Sequence, residues 1–190
     1  MKRREFGRQV AIVQQVNNAP SDMTVEKLVS YGRIPYEVPF KGKTKKDREC
    51  IEHALKVTGL LKLRHQEISK ISGGEKQRAF IAMALAQDTK ILFLDEPTTY
   101  LDIRYQIEIL EMIKEINQKY GTTIVMILHD INQAIAYSDY LIGLKKGEIV
   151  VEGITGEHLT DEIIESLYGI KLQTEMIKGQ RIVLNTRESA

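Results

Sequence analysis

The chain has 190 residues, 43% hydrophobic and 28% charged, with a formal net charge of +1. This composition excludes a disordered chain, the length allows a buried core, and the charge balance gives no reason to expect nucleic acid as a partner. The single cysteine, Cys50, excludes an internal disulfide and suits a reducing compartment.

The opening Met1-Lys2-Arg3-Arg4-Glu5-Phe6 has no apolar run behind its charges and does not read as a signal peptide. No stretch approaches the roughly 20 apolar residues that span a bilayer, so membrane work is expected to run through a partner. Basic clusters at Lys2, Arg3, Arg4 and at Lys41, Lys43, Lys45, Lys46 read as solvated surface, with a binding patch as the alternative.

Val10 to Val13 is a short apolar strand ending in Gln14-Gln15, and Asn17 to Asp22 is a loop. Thr24 is expected to cap a short helix carrying Val25, Leu28 and Val29. Gly32 to Lys43, with two prolines, reads as irregular. Thr44 and Asp47 have capping-box spacing, and a helix with Ile51, Ala54, Leu55 and Val57 should follow and close at Gly59. The next helix runs from about Gly74 to Gln87. Ile91 to Leu94 is a continuous apolar run, expected to be a strand covered on both faces of a parallel sheet. Ile103, Ile107, Leu110, Ile113 and Ile116 mark a helix stopped by Gly121. Thr123 to Leu128 is expected as a second buried strand, ending at His129-Asp130, before a short helix through Ala134 and Ala136. This alternation predicts right-handed crossovers and a parallel sheet. Beyond Tyr140, hairpins are expected at Lys145-Lys146-Gly147 and around Lys178-Gly179, giving an α+β appendage.

Three places carry chemistry. Ser72-Gly73-Gly74-Glu75 opens a helix, where backbone N–H groups and the helix dipole attract an anion and the glycines allow close approach. An ordinary N-cap is the plainer alternative. Asp95 and Glu96 end a strand at the sheet edge where α/β folds bind ligands, so that Asp95 could hold Mg²⁺ and Glu96 polarise an attacking water. The plainer alternative is a strand running into a polar turn. His129 leaves another strand and could meet a terminal phosphate, although a lone histidine is more often structural.

Taken in order, Ile71 to Glu75, Leu92 to Asp95 with Glu96-Pro97-Thr98, Leu101-Asp102 and His129 resemble the motif set of ABC ATPases over essentially the whole chain. Ser72, Gly73, Gly74 and Glu75 resemble the signature motif, with Ile71 and Glu75 as mild departures. Asp95 resembles the Walker B acid, Glu96 the catalytic glutamate, Asp102 the D-loop and His129 the switch histidine. Gln15 resembles the Q-loop glutamine, a metal-side residue, with Gln14 as the neighbouring candidate. The resemblance implies an α/β, parallel-sheet P-loop NTPase-like core that is N-terminally truncated. A helical subdomain over about 23–70, a core over about 71–140 and a C-terminal α+β part over about 141–190 are expected.

The same family uses G-x-x-x-x-G-K-[ST] to cradle phosphates. Only fourteen residues precede Gln15, where that loop would lie upstream. Gly42-Lys43-Thr44 is a decoy, because Glu37 stands where the first glycine is required and Pro35 and Pro39 precede it in place of a strand. The chain alone is therefore expected to bind ATP weakly or not at all.

The resemblance further implies ATP and Mg²⁺ as cofactors, a second ABC ATPase domain in a head-to-tail homodimer, transmembrane permease subunits contacted by the helical section, and an indirect substrate-binding protein. The implied location is the cytoplasmic face of the membrane. Thr24-Val25, Gly32-Arg33, Pro35-Tyr36, the stretch Leu128 to Tyr140, Leu159-Thr160 and Leu167 to Ile170 resemble importers of iron–siderophore, haem and cobalamin complexes, with iron–siderophore uptake preferred. A catalytically incompetent dimerisation or regulatory module is the alternative. A DNA-repair or chromosome-organising relative would carry long heptad insertions before the signature, and none is present.

Overall fold

The computed structural model describes residues 3–38, 40, 42–155 and 159–187. Lys2 of the first basic cluster and Lys41 of the second lie outside these. The chain forms two compact units, Met1–Ile127 and Leu128–Ala190.

The first unit holds a parallel sheet of β1 (Val10–Val13), β2 (Ile91–Asp95) and β3 (Thr123–Ile127) in that spatial order. Its other elements include α1 (Arg3–Phe6), α2 (Val25–Ser30), α3 (Lys45–Val57), α4 (Gly73–Ala86) and α5 (Ile103–Tyr120). Local chemistry sets the helix ends. The Thr24 hydroxyl accepts from the Lys27 N–H, and Thr44 with Asp47 forms a complete capping box. Gly121 ends α5 at φ 62°, a left-handed cap that glycine adopts without a Cβ penalty.

One sheet face carries Ala11, Val13, Leu92 and Leu94, which pack into a single apolar core with Phe80 and Ile81 of α4 and Ile109, Ile113 and Ile116 of α5. The other face departs from the sequence expectation of strands covered on both sides. Ile12, Phe93 and Val125, aligned across the three strands, are 51%, 41% and 41% exposed. The cause is that the core helices lie on the opposite side, so alternate residues of each strand face outward. Ile103 and Ile107, expected on the core stripe of α5, are exposed as well, and burial begins with Ile109.

The start of the stretch read as irregular, with Tyr31 before it, forms a 3-10 turn, Tyr31–Tyr36, that packs closely on α4. A Cβ on Gly32 would stand 2.0 Å from the Met83 carbonyl oxygen, so only glycine permits this approach. The turn buries Arg33, whose guanidinium donates to Asp47 at 2.9 Å and to the Ala86 carbonyl at 2.8 Å. It also lies 4.0 Å from the centre of the Tyr36 ring.

The second unit contains α6 (Ile131–Tyr137), the antiparallel pair β4 (Tyr140–Lys145) and β5 (Glu148–Ile154), α7 (Asp161–Tyr168) and a second pair, β6 (Leu172–Ile177) and β7 (Gln180–Arg187). Both expected hairpins are present. Lys146-Gly147 and Lys178-Gly179 have positive φ at both positions, the turn geometry that matches strand twist. Ile135, Leu141, Val151, Leu159, Ile164 and Val183 form its small core.

Candidate functional site

Asp95 closes β2 opposite Ile127 of β3. Glu96 then leaves the strand at φ 48°, a left-handed conformation that a residue with a Cβ keeps only when its neighbours hold it. Those neighbours are identifiable. The Glu96 N–H donates to the Ile127 carbonyl at 3.2 Å, and the Thr99 N–H donates to the Glu96 carbonyl at 3.3 Å. The Glu96 carboxylate accepts from the Thr99 hydroxyl at 2.9 Å and from the side-chain amide of Gln15.

Gln15 is 81 residues away in sequence. It reaches Glu96 because β1 and β2 run parallel in register, so their C-terminal ends share one edge. Of the two glutamines, only Gln15 makes this contact. The Gln14 carbonyl accepts from Asn17, and Gln14 lines a cavity of about 220 Å³ with Val16, Pro20, Met23, Phe80 and Met83.

The Ser72 turn forms a second cluster. Its plainer alternative is realised: the Ser72 hydroxyl accepts from the Glu75 N–H at 3.3 Å, and the Glu75 carboxylate accepts from the Ser72 N–H at 2.8 Å. Donation to the carboxylate from Ser72, by its backbone N–H first and then by its side chain, holds the Glu75 carboxyl below its ordinary range. The capping box engages Ser72 and Glu75 and leaves the N–H groups of Gly73 and Gly74 at the head of a fourteen-residue helix. Gly74 has a packing reason of its own, since a Cβ there would lie 2.8 Å from the Tyr105 ring. Leu101 approaches Gly73 from the same side, so the Ser72 turn and the Leu101-Asp102 segment are neighbours. Asp102 itself caps α5 by accepting from the Tyr105 N–H at 3.2 Å.

His129 belongs to the second unit, where it is exposed beside Asp130, the cap of α6. Two residues with clear structural parts were missed from sequence, Thr99 and Tyr105, and Arg33 was named only for its resemblance and not for its buried pairing with Asp47. For Thr99 a signal existed, a hydroxyl three residues after a carboxylate in a proline-containing turn. The approach of Tyr105 to Gly74 had none, because it depends on how two helices meet.

Asp95 and Gln15 would be the residues to hold Mg²⁺. Asp95 supplies a carboxylate, and Gln15 keeps its amide oxygen as an acceptor while its nitrogen donates to Glu96. Mg²⁺ commonly takes one or two protein oxygens and completes its shell with water and phosphate. Among the described residues no group of three His, Cys, Asp or Glu gathers into a metal cage.

Solved structures share this architecture. A metal-chelate type ABC transporter in an inward-facing conformation superposes with a TM-score of 0.84 at 27% identity, over 93% of this chain and 72% of that one. The dimeric structure of MJ0796, a bacterial ABC transporter cassette, gives a TM-score of 0.65 at 27% identity, over 82% and 68%. The fold is therefore that of an ABC ATPase cassette.

The ABC transporter family model matches residues 1–99. The ferric enterobactin transport ATP-binding protein FepC of Escherichia coli (strain K12) is 44% identical over 88% of this chain and 62% of its own length. The iron(3+)-hydroxamate import ATP-binding protein FhuC of Bacillus subtilis (strain 168) is 44% identical over 90% and 63%. The chain belongs to the ABC transporter family, and it spans a little over three fifths of the length of these two relatives.

Proposed function

We propose that this chain supplies the signature face and the water- and metal-handling residues of an ATP-hydrolysing subunit in an iron–siderophore importer. The observation that carries the reading is the contact of Gln15 and Thr99 with the Glu96 carboxylate at the sheet edge. A carboxylate oriented in this way serves as the base that polarises an attacking water. Asp95 and Gln15 would hold Mg²⁺, which when bound neutralises phosphate charge. The Ser72–Gly74 turn would face the terminal phosphate of ATP held by a second domain, through the N–H groups of Gly73 and Gly74. His129 would contact a terminal phosphate, and Asp102 would order the segment beside the Ser72 turn.

The partners are a second cassette and a permease. The cavity bounded by Gln14, Val16, Pro20, Met23, Phe80 and Met83 borders Gln15 in sequence and offers an apolar seat for a permease segment. No described helix is long and apolar enough to cross a membrane; the permease would hold the chain at the cytoplasmic face. The cargo follows the names of the two relatives, which concern ferric enterobactin and iron(3+)-hydroxamate.

In the assembled transporter, Glu96→Gln is expected to retain ATP and lower kcat by about 10²–10⁴-fold, because the base is lost while the binding contacts remain. Turnover at the normal rate would remove Glu96 from this role. A second reading is a module that donates only its signature face, whose Ser72 and Gly73 are exposed. Titration calorimetry of this chain with ATP and Mg²⁺ addresses both readings. Little or no binding is expected, and tight binding would show that the chain holds nucleotide by residues other than those named.

A further inference from the structure

The second unit ties the helix that follows His129 to the C-terminal hairpin. Asn132, in the first turn of α6, donates its side-chain amide to the Val183 carbonyl at 2.9 Å and accepts from the Val183 N–H at 2.8 Å. The two residues are 51 positions apart, and Val183 lies in β7, buried in the small core of this unit. One hydrogen bond would let the helix swivel about it. Two bonds in opposite senses, made by one planar amide to one residue as a neighbouring strand would make them, fix distance and orientation together.

This fastening has consequences because α6 is marginal by itself. It has seven residues, too few for an independent helix, and its buried side chain is Ile135, with Ile131 and Ala134 partly covered. Asp130 caps it by accepting from the Gln133 N–H at 3.0 Å, and the Ala134 N–H donates to the Asp130 carbonyl at 3.0 Å. His129 directly precedes that cap and is exposed. The far end of the helix is tied separately. The Ser138 hydroxyl donates to the Ala134 carbonyl at 2.5 Å and shares a hydrogen bond with the Thr155 hydroxyl at 3.1 Å. Head and tail of α6 thus have different anchors, and the head anchor is the one beside His129.

We infer that Asn132 is a positioning residue for His129. By clamping the head of α6 to β7, it sets the direction of the backbone from which the imidazole projects. The C-terminal hairpin thereby shapes the site without contributing a side chain that touches nucleotide. The effect on turnover rests on the proposed phosphate contact of His129, and the positioning itself does not.

Two measurements separate these. In the 190-residue chain, NMR of the His129 ring reports its surroundings directly. Asn132→Ala is expected to shift and broaden the ring signals and to lower the hydrogen-exchange protection of the Val183 amide. Ser138→Ala, which loosens the tail of α6, should leave the ring signals in place. Unchanged His129 signals in Asn132→Ala would overturn the inference, and so would an equal change in Ser138→Ala, which would mean general loosening of the helix. If Asn132→Ala unfolds the unit, Asn132→Asp is read in its place with the same expectations, since it keeps the side-chain shape and removes the donor to the Val183 carbonyl. In the assembled transporter, Asn132→Ala should lower kcat by about 10- to 100-fold with KM for ATP unchanged. In a His129→Ala background it should lower kcat no further. A second, multiplying loss there would show that Asn132 acts through another residue and would overturn the inference. Normal turnover in His129→Ala, with the NMR change present, would remove the phosphate contact of His129 and leave the positioning by Asn132 supported.

Discussion

The heads of α3 and α4 begin with the same local device and end in opposite situations. Thr44 and Asp47 form one capping box, Ser72 and Glu75 the other, with the same spacing and the same reciprocal bonds. Asp47 is buried and carries a second partner, because the Arg33 guanidinium reaches it from a turn fourteen residues upstream. Glu75 is only partly buried, and Ser72 and Gly73 are open to solvent. One box is an anchor for the fold. The other presents backbone N–H groups at an exposed helix end, where a ligand can reach them. A capping motif therefore specifies where a helix starts, and its surroundings specify what that start is for.

The comparison is broken most strongly at Arg33. Arg33→Ala should destabilise the chain by about 3–5 kcal/mol, because it strands the Asp47 carboxylate without its ion partner in the interior. Urea unfolding measures this, and a loss near that of an exposed salt bridge would mean that Asp47 finds another donor. The double variant with Asp47→Asn should recover part of the loss.

Acid sharpens it next. Burial alone would push the Asp47 carboxyl up, but hydrogen bonds from Thr44 and Arg33 outweigh it and hold the carboxyl at about 2. Its folded value lies below its unfolded one, so the unfolded state binds more protons between them. The contribution is present above about pH 4 and is lost as pH falls towards about 2, and it amounts to about 2 kcal/mol. Stability measured across that window should fall less steeply in Asp47→Asn. An unchanged slope would assign the acid sensitivity to other carboxylates.

The smallest effect is expected at the open head. Ser72→Ala should cost about 1 kcal/mol, the usual worth of an N-cap hydroxyl at a solvated site. Its melting transition should therefore shift much less than that of Arg33→Ala. A cost as large as that of Arg33→Ala would make Ser72 a fold anchor and erase the contrast.

Much of the local structure was legible beforehand because its causes lie within a few residues. The two hairpin turns, the stop at Gly121 and the caps at Thr24 and Thr44 depend on φ constraints and on bonds spanning three or four positions. Asp95 and Glu96 at the end of an apolar run, and the Ser-Gly-Gly helix start, were readable for the same reason. The burial of β3 was misjudged, since an apolar run specifies a strand and not what lies against each face. Thr99 went unnoticed although its hydroxyl stands three residues after the Glu96 carboxylate, and Tyr105 because its approach to Gly74 depends on how two helices meet.

By itself, then, the sequence determined element types, their ends, and the order of the residues that identify the family, all consequences of local backbone preference and short-range hydrogen bonding. Tertiary structure alone decided that Gln15 meets Glu96, that Arg33 enters the core to meet Asp47, and that Arg4 and Arg8 lie against Pro35. It also left Ile12, Phe93 and Val125 on an open sheet face. Each of these joins residues far apart in the chain or depends on which side the helices cover, and no spacing rule encodes that. Parallel strand register and helix packing decide it, because they set which distant side chains share a neighbourhood.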